Sequence, residues 1–116
     1  MLRSKAIVIR ATGERDELVR EARRLWNVVR NMPHLSDEIF DEAADEISAA
    51  KDEIDEIARL AGSLDGAAPP EERATLKRLR AVGGEVKARR RRLRAIRRDV
   101  LADEIYYDGI GEPIAA

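Results

Sequence analysis

Charge in this chain is sorted into blocks, and that sorting limits how it can fold. Residues 34–72 carry eleven more acids than bases, with only Lys51 and Arg59 opposing them. Residues 73–98 carry eleven more bases than acids, with only Glu85 opposing. Residues 1–33 are mildly basic, and residues from 99 onward hold five acids and no base. The formal net charge of the whole is only -1. Two adjacent blocks of opposite sign are stable together when they lie side by side and unstable when either stacks on itself. The order of the blocks therefore predicts a hairpin, acidic arm against basic arm.

The material of the arms is helical. Only Trp26, Phe40, Tyr106 and Tyr107 are aromatic. Ala, Leu, Ile and Val supply the remaining apolar surface, and Glu, Asp and Arg fill the rest, a composition that suits long helices. A chain of 116 residues is one domain by length, and a chain of this size hides roughly two thirds of its unfolded surface.

Helix 1 is predicted over about 14–31. Leu18, Ala22, Leu25, Val29 and Met32 recur at alternating four and three residues, and Trp26 and Val28 widen that face. Pro33 ends it. Helix 2 is predicted over about 37–61, with Ser36 as N-cap, Asp37 and Glu38 in the first turn, and Leu35 and Phe40 placed as a hydrophobic staple. Its best apolar row reads Phe40, Ala44, Ile47, Ala50, Ile54, Ile57, Ala61, Leu64, and Gly62 is its expected stop. Residues 62–70 read as a loop, with Pro69 or Pro70 at the first position of helix 3.

Helix 3 is predicted over about 71–103, with a stripe of Leu76, Leu79, Val82, Val86, Leu93, Ile96 and Val100. Gly83 and Gly84 interrupt it, either as a break or as a place for close backbone approach to Ser48, Ala49 and Ala50. The β-branched residues 5–11 read as a short extended segment, the alternative being an earlier start of helix 1. Residues 104–116 read as an irregular tail whose Ile105, Tyr106 and Tyr107 pair with Ile7, Val8 and Ile9 as a ribbon. The expected fold is all-α: a three-helix antiparallel bundle over 1–116 built on a long α-hairpin of helices 2 and 3.

In that hairpin Arg89 and Arg90 fall near Glu42 and Ala43. An arginine stem covers apolar surface while its head reaches a carboxylate at the rim. At ~38 Å for helix 2 against nearly ~50 Å for helix 3, the longer helix overhangs. Leu93, Ile96, Val100 and Leu101 then need cover from helix 1, the tail or another copy. With Trp26, Tyr106 and Tyr107 they form the expected interface for a protein partner or a homo-oligomer.

The run Arg89, Arg90, Arg91, Arg92, Arg94, Arg97 and Arg98 supports an alternative, a nucleic-acid-binding accessory protein whose affinity would be electrostatic and sequence-blind. Against it, helix 2 supplies an equal and opposite charge, and no aromatic residues are interleaved for base stacking. A second alternative is a divalent-metal-dependent hydrolase. Glu53-x-x-Glu56 and Glu42-x-x-Asp45 resemble the carboxylate motifs of all-helical nucleotide pyrophosphohydrolases. Those enzymes carry a second acidic motif on a later helix, where this chain has arginine.

His34, the only histidine, lacks an evident nucleophile to serve, since Ser36 is accounted for as a cap. No glycine-rich phosphate loop is present, and no cysteine offers a thiolate or a disulfide. No apolar run reaches the ~20 residues of a membrane span. The sequence reading is thus a non-catalytic, cytoplasmic interaction or structural subunit that needs neither cofactor nor metal.

Overall fold

The computed structural model describes the backbone of residues 2–110 and the side chains of residues 4–103. Three helices pack against each other: α1 (Leu2–Arg30), α2 (Asp37–Ser63) and α3 (Pro69–Ile110). There is no strand among the described residues. Short connections make consecutive helices antiparallel, as the sequence predicts.

Each helix buries one row at seven-residue spacing. On α1 it is Ala11, Leu18 and Leu25, continued by Met32 just past its end; on α2, Ala43, Ala50 and Ile57; on α3, Leu79, Val86, Leu93 and Val100. Val29, Leu60 and Ile96 fill the adjoining positions. A strict seven-residue repeat keeps one seam facing its neighbours along the whole length, the geometry of coiled-coil-like bundles. Each large aliphatic side chain taken fully out of water stabilises the fold by about 1.5–3 kcal/mol. This core therefore holds the bundle, while ion pairs refine it.

Several local expectations hold. Ser36 is the N-cap of α2, and its Oγ accepts from the Ile39 amide at 3.3 Å. Pro69 opens α3, with Glu71 and Glu72 in the first turn at the positive end of the macrodipole. The α1 chain stops before Pro33, where the Asn31 and Met32 amides turn back to Val28 and Val29 carbonyls at 3.2 Å each.

Other expectations are corrected. Residues 5–11 are not extended but belong to α1, which has 29 residues. Helix propensity disfavours Ile and Val by only about half a kcal/mol each. Ala11 is buried, and Ile7 and Val8 pack against the core, so burial outweighs propensity. Residues 104–110 are not an irregular tail either. They continue α3, which has 42 residues, and the proposed ribbon with residues 7–9 does not form.

Gly62 does not end α2. The helix runs to Ser63, and the left-handed turn residue is Gly66 at φ 81, a conformation open chiefly to glycine. Gly83 and Gly84 do not break α3, nor do they face α2. A Cβ at Gly83 would lie 3.0 Å from Glu14 Oε2 of α1, and one at Gly84 would meet nothing within 4 Å.

The largest correction concerns which face of α2 turns inward. Of the anticipated row, only Ala50 and Ile57 are buried; Ile47 and Ile54 are partly covered and Phe40 stays 44% exposed. The buried row instead reads Ala43, Glu46, Ala50, Glu53, Ile57, Leu60. Two carboxylates thus stand inside the bundle, with 8% exposure each. Their arginine partners on α3 explain why.

Candidate interaction surface

Arg89 reaches from α3 into the α2–α3 seam and spans both buried glutamates. Its two terminal nitrogens donate to Glu46 Oε2 at 2.8 Å and Glu53 Oε1 at 3.0 Å. Arg92 donates to the other oxygen of Glu46 at 3.0 Å. Charge-assisted bonds of this kind are about twice as strong as neutral ones, and they compensate the carboxylates for lost water. The Glu46 bond, helped by Glu53, holds the Arg89 guanidinium above its already high ordinary pKa. About one turn nearer the hairpin loop than Glu53, Arg78 and Arg59 share the Glu56 carboxylate.

The α1 face of α3 repeats the device. Arg94 donates to Glu21 at 3.1 Å, Arg90 lies 3.7 Å from Glu17, and Lys87 lies 3.4 Å from Glu14. Glu21 is almost fully buried. Ser4 also donates to Glu72, joining the starts of α1 and α3. The basic helix is therefore clamped between two acidic edges, not one.

The expected pairing of Arg89 and Arg90 with Glu42 and Ala43 is corrected accordingly. Arg89 meets Glu46 and Glu53 further along α2, and Arg90 turns to α1. The α1 acids were overlooked because residues 1–33 are basic in sum. Their signal was local: Glu14, Glu17 and Glu21 recur at three-then-four spacing along one edge.

Of the seven arginines considered for nucleic acid, four (Arg89, Arg90, Arg92 and Arg94) are thus held by carboxylates of this chain. Arg91 and Arg98 are exposed and make no ion pair among the described residues, and Arg97 is half-buried. The carboxylates considered for metal are also placed. Glu53 and Glu56 are held by arginines, while Glu42 and Asp45 are exposed. No group of three potential ligands converges among the described residues.

The anticipated interface divides. Leu93, Ile96 and Val100 are covered within the chain, at 0%, 3% and 0% exposure. At 42 residues α3 does outrun α2 at 27, and the cover comes from helix 1, one of the sources expected: Leu25, Val29 and Met32 share the core cluster with these three. Leu101 is half-buried. Tyr106 and Tyr107 lie on α3, but their side chains fall outside the described residues. Trp26 is the member that remains open, at 43% exposure.

Trp26 stands over a groove between α1 and α2, on the side of the bundle away from α3. The groove encloses about 620 Å³ and is lined by Val19, Ala22, Arg23, Trp26 and Asn27 of α1 with Ile47, Lys51 and Ile54 of α2. Most of its lining surface is apolar. It exists because α2 points its buried row at the α3 arginines, which rotates the richer apolar row (Phe40, Ile47, Ile54) to the flank. No helix of the described chain is long and apolar enough to cross a membrane. Comparison with protein-family models, curated proteins and solved structures finds no match.

Proposed function

We propose that this protein is a non-catalytic helical interaction subunit whose working surface is the groove between α1 and α2. One observation carries the reading: the apolar row that α2 would bury first is left half-exposed beside the only tryptophan. Tryptophan in a shallow apolar groove is a common anchor of protein interfaces, and a helix laid in such a groove buries side chains at three- and four-residue spacing. The ion pairs of α3 support it too, because they consume charge that would otherwise attract polyanions.

The test is a photo-crosslinking amino acid placed at position 26, compared with the same group at Arg91 on the opposite side. Crosslinks to protein that form from position 26 and not from position 91 are the expected result. Equal yields from both positions would contradict it.

A second reading, binding of nucleic acid along α3, is favoured by the exposed Arg73, Lys77, Arg80, Arg91 and Arg98, which make no ion pair among the described residues. It predicts duplex binding that weakens steeply with salt. No binding to a generic duplex at low salt removes it.

A further inference from the structure

No further inference is drawn: the strongest candidate, the apolar groove between α1 and α2 beside Trp26, belongs to the surface already described, and nothing in the structure shows what covers it.

Discussion

Arg89 shows how a buried charge becomes tolerable in a bundle with so little aromatic surface. Its side chain is 22% exposed, against 11% for Glu46 and 10% for Glu53. Replacing it with methionine keeps the volume and strands Glu53, while Glu46 retains Arg92. Removing one partner of a fully buried pair costs about 3–5 kcal/mol; here residual water contact brings Arg89→Met to about 2–3 kcal/mol. Adding Glu53→Met removes the stranded charge, so the double variant recovers most of that loss. Urea unfolding of the three proteins measures both steps. Glu56 adds a pH effect. Its hydrogen bond from Arg59 leads, and attraction to Arg59 and Arg78 adds to it; together they outweigh desolvation and hold the carboxyl below its ordinary value. A carboxyl with a folded pKa below its unfolded one contributes stability above the unfolded value, and that contribution is lost as pH falls through the folded one. Glu56→Gln should therefore flatten the acid limb of the stability curve while leaving the slope near neutrality unchanged.

At the scale of elements, helix existence, order and polarity were legible, and so was the Ser36 cap, because periodicity and capping chemistry are local. Boundaries governed by tertiary burial were not. Ile7, Val8 and Ala11 carry no local sign that a hairpin will cover them, so a β-branched run before Thr12-Gly13 reads as extended. The inward face of α2 was misread for a related reason. Ala43, Glu46, Ala50, Glu53, Ile57 and Leu60 form an unbroken three-four row, but hydrophobicity alone ranks Phe40, Ile47 and Ile54 above it. Only the arginines of another helix make the glutamate row the buried one. The glycines of α3 yield a prediction. Gly84 sits in a continuous helix with open space around its missing Cβ, so Gly84→Ala should stabilise the protein by about 0.5–1 kcal/mol. Gly83→Ala should yield less, since Glu14 must move aside from its contact with Lys87. Thermal melts of the two variants compare them directly.

For the whole molecule, the block order of charge announced the antiparallel hairpin, and the structure extends it to three layers with the basic helix shared between acidic edges on α1 and α2. The candidate surface was legible only in part. Trp26 stood out by its rarity, whereas nothing local in Leu93, Ile96 and Val100 told whether helix 1, the tail or another copy covers them; Leu25, Val29 and Met32 do. The neutralisation of α3 by its own chain is the claim on which the apolar groove, rather than the arginine run, becomes the working face. The melting temperature as a function of salt tests it most directly. Exposed pairs contribute about 0–1 kcal/mol each and are screened within about 8 Å at 0.15 M. Raising salt from near zero to that level should remove on the order of 1 kcal/mol in total and lower the melting temperature by about 4 °C. A melting temperature that holds steady or climbs over that interval would mean that the charged blocks repel within themselves more than they attract across the bundle.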